Sequence, residues 1–219
     1  MGPLFDFMRE MTRRKVWIFG GLYAVLACLL QQTATADLAI SRHAPDVADL
    51  SGERGDRIES TKELSRGKAG IGLTIISRGD VSCGVALEGR TLGVNGNFET
   101  ERYSRCRSGE GRNDEKTLEL SYRAHMTGLR VCTSRDDPIR IGGFEIVGGE
   151  IDDEGQLKRL DESERYSSAS CDRWGDGSSC DENFVVTGFV AHFMRKARGS
   201  SLPDALVGLQ VVCREVIER

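Results

Sequence analysis

The chain has 219 residues, with 30 Lys and Arg set against 34 Asp and Glu for a net charge of −4. That balance repels a polyanion, so a nucleic-acid partner is not expected. The length allows one domain with a real core, and seven cysteines beside only three histidines point to disulfides rather than zinc.

Residues 1–36 read as a secretory signal peptide. Arg9, Arg13, Arg14 and Lys15 form a basic head, and Val16 to Leu30 is an apolar run too short to span a bilayer comfortably. Ala34-Thr35-Ala36 then places small residues before a cut at Asp37. Three rivals are open: a lipid anchor at Cys28, an uncleaved anchor, and twin-arginine export through Thr12-Arg13-Arg14. No other membrane attachment is expected. Removing the leader leaves 26 basic and 32 acidic residues, a net charge of −6. It also leaves six cysteines: Cys83, Cys106, Cys132, Cys171, Cys180 and Cys213. An even number in an exported chain implies a disulfide framework, and six allow 15 pairings. The expected location is secreted, periplasmic or at the cell surface.

Residues 37–68 carry no aromatic side chain and are rich in charge, Ser and Gly. They read as a flexible polar arm, with room for a short helix around Glu59 to Leu64.

From Ala69 onward a phrase recurs: a glycine, then alternating apolar residues, then a turn. It reads Gly72-Leu73-Thr74-Ile75 and Gly84-Val85-Ala86-Leu87, then Gly128-Leu129-Arg130-Val131 and Gly143-Phe144-Glu145-Ile146, then Gly188-Phe189-Val190-Ala191 and Gly208-Leu209-Gln210-Val211. The leading glycines lie 56 and 60 residues apart, and the second ones 59 and 65. Two strand-like pieces at such a period mark a repeated supersecondary unit. Glu101-Arg102-Tyr103-Ser104 before Cys106 matches Glu164-Arg165-Tyr166-Ser167 before Cys171, so the first two units share a return connection. The units are placed at 69–112, 113–172 and 173–216, and only Leu157 to Tyr166 could be helical. Glycine lets another backbone come close, which three sheets converging on one axis would require.

Three strings carry a resemblance: Thr127-Gly128-Leu129-Arg130-Val131-Cys132-Thr133, Cys171-Asp172-Arg173-Trp174 with Ser179-Cys180, and Gly208-Leu209-Gln210-Val211-Val212-Cys213-Arg214. Together they resemble a group of secreted bacterial proteins and, more distantly, the vitelline membrane outer layer protein family. The resemblance implies an all-β, β-prism-like fold over residues 69–216: three Greek-key sheets with pseudo-three-fold symmetry, as in jacalin-type plant lectins. No catalytic residue carries over. If each repeat closes on itself, Cys83 joins Cys106, Cys132 joins Cys171, and Cys180 joins Cys213; the chief rival joins Cys171 to Cys180.

The loop from Cys171 to Cys180 holds the candidate site. Trp174, the only tryptophan past the leader, offers a flat face for a sugar ring, with Asp172, Asp176 and Arg173 for its polar groups. The competing reading makes Trp174 a plug for the end of the core. Asp172, Asp176 and Asp181 could approach a calcium ion, but their spacing fits no EF-hand, so no metal is assigned. Arg54-Gly55-Asp56 and Arg78-Gly79-Asp80 match an adhesion triplet; the second sits where Gly-Asp is ordinary turn chemistry. Asp152-Asp153-Glu154-Gly155 reads as a hairpin tip, and His125 and His192 have no adjacent catalytic partner. No nucleophile elbow, P-loop, dinucleotide fingerprint or zincin motif is present, and no cofactor is implied. The leading expectation is a secreted, non-catalytic, lectin-like module for an extracellular or cell-surface glycan. The alternatives are a disulfide-stabilised envelope protein and a secreted carbohydrate-active enzyme using a pair of carboxylates.

Overall fold

The computed structural model describes residues 38–218, except 60, 93–95, 107–111, 136–138, 153–155, 197 and 199–200. The expected leader over residues 1–36 lies outside them. Every regular element among the described residues is a strand. In chain order these are β1 (Leu38–Ile40), β2 (Asp46–Val47), β3 (Ser51–Gly52), β4 (Arg57–Ile58) and β5 (Lys62–Glu63). Next come β6 (Lys68–Arg78), β7 (Val81–Thr91), β8 (Phe98–Ser104), β9 (Asp114–Glu119), β10 (Ala124–Thr133) and β11 (Ile141–Ile151). The last are β12 (Leu157–Ser167), β13 (Arg173–Trp174), β14 (Ser178–Ser179), β15 (Phe184–Met194) and β16 (Ala205–Glu218).

They form three antiparallel sheets on one plan. The first runs β8-β7-β6-β9 and the second β12-β11-β10, with β13 and β14 sharing the far edge of β10. The third is centred on β15 and β16, with β1, β2 and β3 along β16 and β4 and β5 along β15. Each is a long central hairpin with an outer partner on either side, which is Greek-key order. The first hairpin strands, β6, β10 and β15, pack against one another pairwise. Three equivalent sheets therefore converge on one core, and the fold is a β-prism.

The register repeats residue by residue. Leu73 pairs with Leu87, Leu129 with Ile146 and Phe189 with Val211; one step on, Ile75 pairs with Val85, Val131 with Phe144 and Ala191 with Leu209. These inward rows are buried and belong to one cluster. Between them lie the outward pairs Thr74–Ala86, Arg130–Glu145 and Val190–Gln210. Just before each leading glycine the register slips, between Gly70 and Gly72, Met126 and Gly128, and Val186 and Gly188. The skipped residues Ile71, Thr127 and Thr187 turn their carbonyls to the backbone N–H of Leu120, Cys180 and Leu64, at 2.9, 2.8 and 2.8 Å. Those three acceptors fix buried anchors that close each sheet onto the core.

The repeated glycines serve approach within a sheet, not between sheets as expected. A Cβ on Gly72 would lie 2.9 Å from the Leu118 carbonyl and one on Gly128 2.8 Å from that of Ser178, while one on Gly188 would strike that of Lys62. Each of these carbonyls belongs to the outer strand beside the glycine. The second glycines do the same on the other side: a Cβ on Gly143 would meet the Tyr166 carbonyl at 2.8 Å.

Two boundaries differ from the sequence reading. β9 completes the first sheet and β13 and β14 the second, so each unit extends past the expected divisions at 112 and 172. Within residues 37–68, read as an arm, β1 to β5 supply both outer edges of the third sheet: β1 pairs Leu38 with Glu218, and β5 pairs Glu63 with Gly188. These five short strands thus complete the last of the three units. Leu157–Tyr166 is strand rather than helix, and in the other stretch weighed as helix Lys62–Glu63 is strand. β12 follows β11 from Gly143↔Ser167 to Ile151↔Leu157, and this pairing overrides the local preference.

The disulfides are Cys83–Cys106, Cys132–Cys171 and Cys180–Cys213. The first two close their own units. The third joins the buried anchor after β14 to β16, so it ties the second sheet to the third.

Candidate functional site

Strand geometry separates the four residues singled out by sequence. Trp174 pairs with Cys132 at the edge of β10, half-buried on the outer face of the second sheet. It is therefore not a core plug. The Arg165 guanidinium lies over its ring at 4.7 Å from the centroid and that of Arg130 at 5.8 Å. Arg165 is held by a 2.8 Å hydrogen bond to the buried carboxylate of Glu145, its cross-strand neighbour. Arg173, adjacent on the same strand, points to the opposite face and pairs with Glu53. Asp172 is exposed and accepts the Arg135 backbone N–H at 2.9 Å; Asp176 is exposed on the turn before β14. These side chains do not converge. Among the described residues, no three His, Cys, Asp or Glu gather to hold a metal ion.

The other motifs are structural. Gly79 has φ +58° at the first central position of the two-residue turn between β6 and β7, which glycine favours. Gly55 lies against the Phe193 backbone and Asp56 accepts the Arg195 N–H at 2.9 Å, so the first triplet lies flat on the third sheet. Asp152 accepts the Gln156 N–H at 2.8 Å in its hairpin; residues 153–155 lie outside the described set. His192 donates its Nε2–H to Gln210 Oε1 on the neighbouring strand at 2.8 Å. His125 is buried, and desolvation, aided by the charge of Arg90, pushes its imidazole down to about 4.

A cleft of about 720 Å³ opens elsewhere, where the edge of the first sheet meets the edge of the second. Its floor is Ile75, Ile141 and Phe144, with the half-buried ring of Tyr166 tilted against that of Phe144, centroids 6.1 Å apart. Tyr166 is there because it pairs with the inward-facing Phe144. Lys116, on β9 of the first sheet, sets its ammonium 5.7 Å from the tyrosine centroid. Serines line the walls: Ser82 donates to the Ile141 carbonyl at 2.7 Å, and Ser168 donates to that of Gly142 at 2.6 Å, with its hydroxyl 2.8 Å from Ser170. The Ser82 and Ser170 hydroxyls keep acceptor capacity for a ligand, whereas Ser168 is filled by the Ser170 hydroxyl and backbone N–H, the latter at 3.3 Å. Asp80 and Asp114 stand exposed at the lip with no ion pair among the described residues. An apolar aromatic floor under a rim of hydroxyls and separated charges suits a polyhydroxylated ring better than an apolar or polyanionic ligand.

Sequence reasoning missed this cleft. The signal lay in the Glu-Arg-Tyr-Ser return: its first copy continues with Arg105 and its second with Ser168. These positions are equivalent, since Arg105 donates its N–H to the Cys83 carbonyl and Ser168 to that of Gly142.

No family model matches the chain, and no curated protein matches it. Among solved structures it is similar to a mannose-specific jacalin-related lectin from Morus nigra in complex with mannose, at 10% identity and TM-score 0.48, over 80% of this chain and 97% of that one. It is also similar to Calystegia sepium agglutinin, at 9% identity and TM-score 0.47, over 82% and 100%. A third likeness is to frutapin, a lectin from Artocarpus incisa, at 10% identity and TM-score 0.47, over 80% and 99%. The vitelline membrane outer layer family does not figure among these likenesses. The β-prism itself rests on the sheet order and register above.

Proposed function

We propose that the chain is an exported, non-catalytic module that binds an extracellular or cell-surface glycan in the Tyr166 cleft. The supporting observation is the cleft itself: an aromatic ring at its floor, serine hydroxyls on its walls and carboxylates at its lip. Tyr166 stacks on the apolar face of a sugar ring, and Ser77, Ser170 and Asp80 take its hydroxyls. The three disulfides suit an oxidising compartment. Trp174 offers the rival surface, because its ring and two stacked arginines lie on the outer face of the same sheet.

A glycan array of the folded protein, followed by titration of the best ligand into Tyr166→Ala and Trp174→Ala, tests the reading. Binding lost in Tyr166→Ala and kept in Trp174→Ala is expected. The reverse moves the site to the Trp174 face, and an array with no binding removes the glycan reading altogether. A durable envelope protein is then the better account, favoured by the Cys180–Cys213 bond that locks two sheets together.

A further inference from the structure

A second pocket, of about 410 Å³, lies where the arm begins and ends. β1 forms one wall, the segment from Glu63 to Lys68 another, and the end of β7 a third. Part of its lining is apolar: Leu38, Ile40, Leu64 and Leu92 line it, and Leu38 and Leu92 pack on the small core cluster that contains Ile40. Its rim is basic. Arg42, Arg66, Lys68 and Arg214 all line it, and Glu63 is the single acidic residue among the described residues that does.

Two of those cations are already matched. Arg214 donates to Glu63 at 2.9 Å, and Lys68 meets Glu99 at 2.6 Å. Arg42 and Arg66 are exposed and make no hydrogen bond or ion pair among the described residues. A protein with more acidic than basic residues thus leaves two uncompensated guanidiniums at the mouth of a pocket with an apolar patch. Guanidinium groups there attract an anion and bind it through charge-assisted forks, while the floor rewards an apolar body. The Tyr166 cleft differs in charge, with Asp80 and Asp114 set against Lys116 and Arg140.

We infer that this pocket is a separate binding site for a small organic anion: a carboxylate, sulfonate or phosphate carried on an apolar body, held by Arg42 and Arg66 over Leu64 and Leu92. The site owes its shape to the arm, so it exists only once the third sheet is complete.

Two fluorescent probes that differ in one charge test this on the full chain. 8-Anilinonaphthalene-1-sulfonate is expected to bind at a single saturable site, and neutral N-phenyl-1-naphthylamine at least about tenfold more weakly. The double substitution Arg42→Gln/Arg66→Gln is expected to weaken the sulfonate by about tenfold or more, with an unchanged circular dichroism spectrum and melting temperature. Both residues are exposed and without a partner among the described residues, so the variant keeps its fold. Equal affinity for the two probes, sulfonate binding unaffected by the double substitution, or no saturable binding at all would each overturn the proposal.

Discussion

Tyr103 and Tyr166 occupy equivalent places, and their surroundings differ in a way that separates scaffold from site. Tyr103 pairs with Val85 and Tyr166 with Phe144, each opposite the residue after a second repeat glycine. Each also carries a lysine from the next sheet over its ring, Lys62 at 5.6 Å and Lys116 at 5.7 Å. Around Tyr103 the groove is filled. Arg105 stacks against both Tyr103 and Phe193, at 5.6 and 5.8 Å, and its Nε donates to Glu59 at 2.8 Å. Around Tyr166 the equivalent position is Ser168, and the groove stays open as the cleft. One guanidinium in place of one hydroxymethyl decides which inter-sheet groove is packed and which can take a ligand.

Exchanging the two residues should break this contrast most severely. Ser168→Arg is expected to fill the cleft and reduce glycan affinity by about a hundredfold, since one blocked ring forfeits both stacking and hydrogen bonds. Calorimetric titration reads the loss. Arg105→Ser is expected to leave glycan affinity unchanged and to lower the melting temperature, because it strands Glu59 and uncovers Phe193.

Truncating the tyrosines sharpens the same difference. Tyr103→Ala should cost about 3 kcal/mol in denaturant unfolding, because its ring is packed between two sheets. Tyr166→Ala should cost about 1–2 kcal/mol, because one side of its ring already faces the cleft. A Tyr166→Ala cost as large as that of Tyr103→Ala would mean that the cleft is packed in solution.

Acid acts on the molecule through two further groups. His125 is held neutral in the fold, with its imidazole down at about 4 against an ordinary value near 6.5. Between these limits the unfolded chain binds a proton that the folded chain refuses. Stability should therefore fall by about 3 kcal/mol as pH drops from 6.5 to 4, and His125→Gln should flatten that slope. Glu59 behaves differently. Desolvation raises its carboxyl, but hydrogen bonds from Tyr103 and Arg105 and the charges of Arg105 and Arg57 outweigh it, and the net shift is downward. Its contribution is present above the usual carboxylate range and is lost as pH falls below it. Hydrogen exchange near Tyr103 should therefore rise in acid, with no matching change near Tyr166. The repeat glycines should act on the scaffold alone: Gly128→Ala should cost about 2 kcal/mol by forcing β14 off β10, without touching ligand affinity.

Much of the scaffold was legible because its causes are local and repeated. The leading glycines recur since each must pass an outer-strand carbonyl, and Thr127 and Thr187 precede them at matching bulges. The three cysteine pairs were reached on the premise that each repeat closes on itself, with Cys171–Cys180 open as a rival; the premise holds for two of them, while Cys180–Cys213 joins two sheets. The arm was not legible, because β2 to β5 are two residues each and their order comes from the edges of β15 and β16, far away in sequence. Trp174 was legible as unusual but not as outward-facing, since its face is fixed by pairing with Cys132. The Tyr166 cleft was hidden by its own repetition: Glu-Arg-Tyr-Ser reads as scaffold until Arg105 and Ser168 are set side by side.

Chemical-shift mapping with the glycan selected on the array tests the central claim most directly. The expected result is a set of perturbed amides confined to Ser77, Lys116, Tyr166, Ser168 and Ser170, with Tyr103 and Trp174 and their neighbours unmoved. Perturbations centred on Trp174, Arg130 and Arg165 with a silent cleft would contradict it.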